Sequence, residues 1–190
     1  MGRLIYTAIS SLDGYVADAE GRFDWSMPSE DVHAAVNRQQ RGIGTMLLGR
    51  RMYEVLVAWE HMDVEGAPEV YREYAELWRS TDKVVYSATL DLVGSSRTRI
   101  ERAFDPDEVR DFVAASDHDV SISGPTLAAH ALRAGIVDEV GQYLGPVVVG
   151  GGVPVFAPGL RLDLELVEEQ RFPDGVVYLG YRPAAADAAQ

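Results

Sequence analysis

Short apolar runs, each long enough for a single strand, alternate with helix-like segments along most of this chain. The clearest runs are TMLLG at 45–49, KVVYS at 83–87 and DVSIS at 119–123. The first and the last lead through turn residues into a helical pattern, whereas KVVYS leads into a loop predicted at 88–105, with a short strand around 97–101. Continuous apolar strands joined through helices are typical of parallel sheets that are covered on both faces. With RLIYTAIS at 3–10 as a first strand, the sequence predicts a three-layer α/β fold with a mostly parallel central sheet.

Helical patterns between these strands complete the predicted layers. Ser29 has the residue type of an N-cap, and apolar residues recur at helical spacing after it. Proline suits the start of two other segments. Helices are predicted at 30–41, 50–59, 68–79, 106–115 and 126–134.

The last part of the chain has the pattern of a hairpin. LRLDLELVEEQRF and VVYLGYR alternate polar and apolar residues on either side of Pro173-Asp174-Gly175. This turn signal predicts an antiparallel hairpin at the edge of the sheet. No change in composition marks a boundary, so residues 1–183 are predicted to form one domain and 184–190 a flexible tail.

Composition argues against several classes of function. The absence of cysteine removes disulfides, thiol nucleophiles and cysteine-ligated zinc, and the four histidines are scattered, so no metal site is predicted. A net charge of −13 disfavours binding to nucleic acid or to anionic membranes. No run reaches the roughly 18 to 20 apolar residues of a membrane span. The N-terminus lacks the features of a signal peptide, which favours a cytoplasmic protein.

Three strand-to-helix junctions carry residues that suit ligand binding, because ligands of open α/β sheets lie beyond the carboxyl ends of strands. At Gly49-Arg50-Arg51 the glycine permits close approach, while backbone N–H groups and guanidinium groups attract phosphate. Arginine at the start of a helix is unfavourable to the helix dipole, which favours an anion at this place. The alternative is a plain turn with two solvated arginines.

The other two junctions combine hydroxyl groups with tight turns. Ser123-Gly124-Pro125-Thr126 offers a possible anion or amide site, with a simple helix cap as the alternative. Its Gly124-Pro125 bond is a candidate cis peptide, a form found in only about one X–Pro bond in twenty. Ser87 and Thr89 follow the KVVY strand.

The common nucleotide-binding motifs are missing from the sequence. Gly150-Gly151-Gly152 is followed by VPVF, so no GxGxxG motif follows a strand, and there is no GxxxxGK[ST]. Both a Rossmann dehydrogenase and a P-loop enzyme are therefore disfavoured.

Carboxylates for acid–base chemistry are few near these junctions. Asp13 lies in the loop SLDGY, and Glu30 and Asp31 begin the first helix. A half-buried carboxylate in a cleft can transfer protons near neutral pH. The alternatives are a plain turn at Asp13 and simple stabilisation of a helix N-terminus by Glu30 and Asp31.

Taken in order, these segments resemble one family. SLDGYVA after the first strand, MLLGRRMYE, VVYSATL, ISGPTLAAHALRAGIVDEV and VVVGGGVPVF follow the pattern of the dihydrofolate reductase-like superfamily. The resemblance is to the branch that contains the reductase domain of the bifunctional riboflavin-biosynthesis deaminase/reductase. It covers about residues 3 to 182.

The resemblance implies an NADPH-dependent reductase. The first junction would hold the cofactor phosphates and the Ser87 junction the adenosine end. The Gly124 junction would approach the pyrophosphate and nicotinamide, typically through a cis peptide, and Ile9 with the SLDG loop would edge the nicotinamide and substrate. The implied cofactor-binding residues are Ile9, Gly49, Arg50, Arg51, Met52, Ser87, Ala88, Thr89, Ser123, Gly124, Pro125, Thr126 and Leu127.

The sequence departs from its relatives at positions that affect the substrate. Met52 stands where many relatives have threonine, so a hydroxyl that could contact pyrophosphate is missing. The folate-reducing members carry a substrate-binding carboxylate on the first helix, and Glu30 falls nearest to it, with Asp31 adjacent. A chain without cysteine also has no zinc-binding deaminase half.

The leading hypothesis is hydride transfer from NADPH to a pteridine- or ribosylaminopyrimidine-like heterocycle, with Asp13, Glu30 or Asp31 orienting substrate or relaying a proton. A stand-alone riboflavin-pathway reductase, which would act on a phosphoribosyl substrate, differs only in that substrate. The alternative of another class is a non-catalytic nucleotide- or flavin-binding protein on the same fold. A homodimer is expected from the relatives.

Overall fold

The computed structural model describes residues 1–184, in which strands and helices alternate. The strands are β1 (Leu4–Ser11), β2 (Tyr15–Ala17), β3 (Ile43–Gly49), β4 (Asp82–Tyr86), β5 (Thr98–Glu101), β6 (Asp119–Ser123), β7 (Glu139–Gly145), β8 (Val153–Pro154), β9 (Leu164–Arg171) and β10 (Val177–Pro183). The α-helices are α1 (Glu30–Gln40), α2 (Arg50–Leu56), α3 (Ala58–His61), α4 (Glu69–Ser80), α5 (Pro106–Ala115) and α6 (Pro125–Arg133). The predicted tail lies outside the described residues apart from Ala184.

Eight strands form one sheet in the order β5-β4-β3-β6-β1-β7-β10-β9. Strands β5 to β7 in this order pair in parallel, whereas β10 is antiparallel to both β7 and β9. The predicted mostly parallel sheet with an antiparallel hairpin is therefore confirmed. Strands β2 and β8 form a separate two-stranded antiparallel pair.

The two faces of the sheet are covered by different helices. Leu47 and Val84 point to the face that carries α5 and α6, where they join a buried cluster with Val109 and Leu127. Because side chains of a strand alternate between faces, the neighbours of Leu47 point the other way, towards α2 and α4. This arrangement produces the three layers that the sequence predicts.

Helix α1 closes the second face over the hairpin strands. The Ser29 hydroxyl accepts a hydrogen bond from the Val32 amide, as an N-cap does. Val32 then packs in a buried cluster with Tyr143 of β7 and Tyr178 of β10. The first helix therefore connects the parallel part of the sheet to its antiparallel edge.

Two local features differ from the sequence prediction. The helix expected at 50–59 is divided at Val57 into α2 and α3, and this division places the ring centroid of Trp59 4.9 Å from that of Tyr74. The long loop after β1 contains β2 and a 3₁₀ turn at Asp24–Ser26. These pieces are three residues long, which is too short for a periodic pattern to predict them.

No helix within residues 1–184 is long and apolar enough to cross a membrane.

A buried imidazole lies where α1 meets α3 and α4. The His33 ring packs against Trp59, Tyr71 and Tyr74, with ring centroids 5.0 to 5.8 Å apart. Its Nδ1 is 3.1 Å from the side-chain oxygen of Asn37. Burial holds the pKa of His33 below its ordinary value of 6.5, with the hydrogen bond to Asn37 acting in the opposite direction.

This lowered pKa predicts a loss of stability in mild acid. As the pH falls through about 6.5, the unfolded chain binds a proton at His33 more readily than the folded protein does, so the free energy of unfolding should fall. Urea unfolding between pH 8 and pH 5 would measure the slope. His33→Gln should flatten it, whereas His118→Gln, at an exposed histidine, should leave it unchanged. An unchanged slope in His33→Gln would refute the assignment.

Gly152 is the glycine at which a side chain should be least tolerated. A Cβ at this position would overlap the Ala17 carbonyl oxygen and lie 2.7 Å from that of Asp18, and the backbone φ is +131°. Gly159 also has a positive φ, of +74°, but nothing lies within 4 Å of its Cβ position.

We expect Gly152→Ala to lower the melting temperature by roughly 5 °C or more beyond the effect of Gly159→Ala. Both variants have the strain of a positive φ, but only the first pushes β8 away from β2. Calorimetry measures the melting temperature of both variants. Equal shifts would show that the backbone at Ala17 and Asp18 moves to accept the methyl group without a loss of stability.

Candidate functional site

Two of the three predicted junctions lie in direct contact. Strands β3 and β6 are neighbours, so the turns that follow them meet at the same edge of the sheet. A Cβ on Gly124 would lie 3.8 Å from the Cα of Gly49 and 3.6 Å from the Cβ of Met52, and a Cβ on Gly49 would lie 3.6 Å from the Cβ of Leu127. The backbones of Gly49–Met52 and Gly124–Leu127 therefore form one continuous surface.

The Gly124 junction makes its turn without a cis peptide. Among the described residues no peptide bond is cis, so the expectation for Gly124-Pro125 is wrong. The turn is made instead by Gly124 itself, with φ of +98° and ψ of 121°, a conformation that side chains disfavour. Its carbonyl accepts from the Ala128 amide at 2.9 Å, which starts α6 directly at Pro125.

Arg50 ties the first junction to the third. Its Nη1 donates to the Thr89 hydroxyl at 2.6 Å, and its Nε donates to a carboxylate oxygen of Glu54 at 2.7 Å. The Ser87 hydroxyl accepts from the amides of Thr89 and Leu90, at 3.3 and 3.0 Å, and so fixes the turn around the exposed Ala88. All three junctions therefore belong to one assembly.

The two arginines of the first junction have different surroundings. Arg50 is committed to Glu54 and Thr89, whereas Arg51 is exposed and forms no hydrogen bond or ion pair within residues 1–184. A third guanidinium, which the sequence did not indicate, supports the same edge. Arg102 donates to the carbonyl oxygens of Ser87 and Leu90, at 3.2 and 2.7 Å.

A cleft of about 200 Å³ opens at the same edge of the sheet, on the side of the hairpin. Ile9 and Ser10, at the end of β1, form its floor, and the loop before α1 and the hairpin turn form its walls. The full lining is Ile9, Ser10, Trp25, Ser26, Met27, Pro28, Val32, Gly145, Pro146, Asp174 and Val176. Ile9 therefore lines a cleft, and its contact with a bound ring stays a prediction.

A second cleft, of about 240 Å³, lies along the start of α6. Pro125 and Thr126 line it on the helix side, and Val153 and Pro154 of β8 line it on the other. Ser123, the last residue of β6, pairs with Leu48 in the sheet.

Asp13 joins two loops. Its carboxylate accepts from the amides of Val149 and Gly150, at 3.2 and 2.8 Å. The Ser11 hydroxyl and these two amides hold the pKa of Asp13 below its ordinary value. Asp13 is therefore ionised at neutral pH, which suits a hydrogen-bond acceptor better than a proton donor.

The cleft has a carboxylate that differs from those predicted. Glu30 and Asp31 are exposed in the first turn of α1 and do not line the cleft, although their neighbour Val32 does. Asp174 of the hairpin turn lines it instead. The sequence pattern at Pro173-Asp174-Gly175 identified the turn correctly but gave no sign that this turn borders a ligand cleft.

The role of Asp13 can be tested through the amides that it binds. We expect Asp13→Ala to increase hydrogen exchange at Val149 and Gly150 by about tenfold or more, because both amides lose their acceptor. Asp117→Ala removes an exposed carboxylate elsewhere and is the matched control. Unchanged exchange at both amides in Asp13→Ala would show that the loops are held by other contacts.

The fold and the site together define a class. A mostly parallel sheet that ends in an antiparallel hairpin, with ligand-type turns meeting at one edge, is the architecture of the dihydrofolate reductase-like proteins. Within that class, the family model of the RibD C-terminal domain matches residues 3–178, and the chain belongs to this family.

Individual proteins are similar to this chain over nearly its whole length. A protein of Bacillus subtilis (strain 168), the uncharacterised protein YyaP, is 27% identical over 182 residues, which is 94% of each chain. A Shewanella sp. PV-4 structure assigned to riboflavin biosynthesis superposes with a TM-score of 0.76 at 21% identity, covering 96% of this chain and 99% of that one. Dihydrofolate reductase of Enterococcus faecalis, in complex with NADP(H) and RAB-propyl, gives 0.60 at 12% identity, covering 97% and 98%.

Proposed function

We propose that this protein is a reductase that transfers a hydride from NADPH to a flat heterocycle bound in the 200 Å³ cleft. The observation that carries the proposal is the meeting of three turns at one sheet edge, beside this cleft, each at the end of a parallel strand. The turns after β3 and β6 lead into helices, whereas the turn after β4 leads to β5. The family assignment supports a reductase. The Enterococcus relative, whose complex contains NADP(H), supports a nicotinamide cofactor.

The residues present fit a dinucleotide with its phosphates at the first two junctions. Glycine at 49 and 124 leaves the backbone accessible, since a Cβ at either position would fill the space between the two turns. Met52 offers no hydroxyl there, so backbone N–H groups and a guanidinium would bind phosphate. When bound, NADPH supplies the hydride. The apolar walls of the cleft would keep water from the ring that accepts it.

The two arginines would then have separate roles. Arg51, which has no partner within residues 1–184, is the cation available to a phosphate. Arg50 would act mainly by holding the Ser87–Thr89 turn in place, since its donors are used by Glu54 and Thr89. Asp13, Glu30 and Asp31 stay predictions as catalytic groups, as do the homodimer and the cytoplasmic location.

The proposal predicts a cofactor preference that depends on Arg51. We expect Arg51→Ala to weaken NADPH binding by about tenfold or more and NADH binding much less, because NADH lacks the additional phosphate that a guanidinium would bind. Titration with each cofactor, followed by quenching of tryptophan fluorescence, measures both affinities.

Arg110→Ala is the matched control, because it removes an exposed arginine from α5 on the other face of the sheet. Equal losses for the two cofactors in Arg51→Ala would contradict contact with the extra phosphate. Wild-type protein that binds neither cofactor would overturn the proposed function itself.

A further inference from the structure

The charged groups that line the cleft are unusual for a site that would bind a substrate with a phosphate. Of the described residues that line it, Asp174 is the one with an ionisable side chain, and none is lysine or arginine. The other walls are apolar or carry hydroxyls that are already in use. The Ser10 hydroxyl donates to the Ser11 carbonyl and accepts from Gln142, and the Ser26 hydroxyl donates to the Phe23 carbonyl.

Asp174 is exposed at the mouth of the cleft, in a turn whose shape is fixed by local hydrogen bonds. One of its carboxylate oxygens accepts from the Val176 amide at 3.1 Å, and the Gly175 amide donates to the Phe172 carbonyl at 3.1 Å. The turn rests against Pro146, since a Cβ on Gly175 would lie 3.4 Å from the Pro146 ring. The second carboxylate oxygen has no hydrogen bond within residues 1–184 and remains available to a ligand.

The shape of the cleft fits a flat ring. Trp25, Met27 and Pro28 line it on one side, and Ile9 and Val176 add apolar surface. The Trp25 ring is held in place because its Nε1 donates to the Arg22 carbonyl at 3.2 Å. Apolar walls with one fixed polar group are typical of sites in which that group sets the orientation of a small molecule.

The same charges disfavour a phosphate group in the cleft. A phosphorylated sugar would place a dianion beside the Asp174 carboxylate, in a protein with a net charge of −13 and without a cation in the described lining. Like charges repel each other, and a phosphate that enters a cleft without a cation loses hydration that no partner there replaces. A ring that presents N–H groups instead would form charge-assisted hydrogen bonds with Asp174.

We propose that Asp174 is the group that selects and orients the substrate, and that the substrate is a neutral or cationic flat heterocycle with adjacent ring and amino N–H donors and no phosphate. This inference rests on the proposed function for its reaction. It distinguishes between the two substrate types that the sequence left open, because a phosphoribosyl substrate does not fit the charge of the cleft. It also replaces the first-helix carboxylates with one from the hairpin turn.

The test compares two bicyclic probes that differ at one group. Pterin presents an exocyclic amino group beside a ring N–H, whereas in lumazine an oxygen replaces that amino group. We expect calorimetric titration of the wild-type protein to show at least about tenfold tighter binding of pterin than of lumazine. Asp174→Asn keeps an acceptor for the Val176 amide, so the turn should survive, and the preference for pterin should disappear.

Two controls separate this idea from other effects. Asp111→Asn removes one exposed negative charge on α5 and should retain the preference. Inorganic phosphate, compared with chloride at equal ionic strength, should leave pterin binding to wild-type protein unchanged. Three outcomes would each overturn the proposal. They are that the wild-type protein does not bind pterin at all, that Asp174→Asn retains the preference, and that phosphate displaces pterin.

The proposed function has its own readout. NADPH binding should be the same in wild-type protein and in Asp174→Asn, because Asp174 lies at the other end of the sheet edge from Arg51. If Asp174→Asn loses the preference for pterin and binds NADPH as tightly as the wild-type protein does, both proposals are supported. A pterin preference without NADPH binding would keep the role of Asp174 and refute the reductase.

Discussion

The close approach of Gly49 and Gly124 determines the geometry of the sheet edge at which ligand binding is proposed. These residues end neighbouring parallel strands, and the position of a Cβ on Gly124 is only 3.8 Å from the backbone of Gly49. A Cβ at either position would be in van der Waals contact with the facing turn and would occupy the surface between the two turns. The positive φ of Gly124 also directs the chain from β6 into α6. One backbone contact thus fixes both the shape and the accessibility of the site.

Interactions at long sequence range then extend this edge in both directions. On one side, Arg50 fixes the turn after β4 through Thr89, while Arg102 supports the same turn from beyond β5. On the other side, pairing of β10 with β7 brings the hairpin turn against Pro146 and so forms the far wall of the cleft. The parallel core supplies the three turns at this edge, and the antiparallel addition supplies the far wall of the cleft.

The sequence predicted the parts that depend on local chemistry. Apolar runs identified the strands, and glycines and hydroxyls identified the junctions, because these signals act within a few residues. The trans peptide at Gly124-Pro125 could not be read in this way, since a glycine with positive φ makes the turn equally well. Asp174 and Arg102 were missed for another reason. Their roles depend on neighbours brought together by the sheet order, and no local pattern records that order.

The distribution of charge along the edge also gives the site a direction. Arg51 follows β3 and Asp174 precedes β10, and four strand-to-strand steps separate these strands. At about 4.8 Å a step, the two groups lie roughly 19 Å apart along the sheet. Under the proposed function, a phosphate-bearing cofactor would be attracted to the first end and repelled from the second, while a ring with N–H donors would have the opposite preference. Two ligands of this kind would occupy the edge in one order only, with their rings meeting near Ile9, between the two charges.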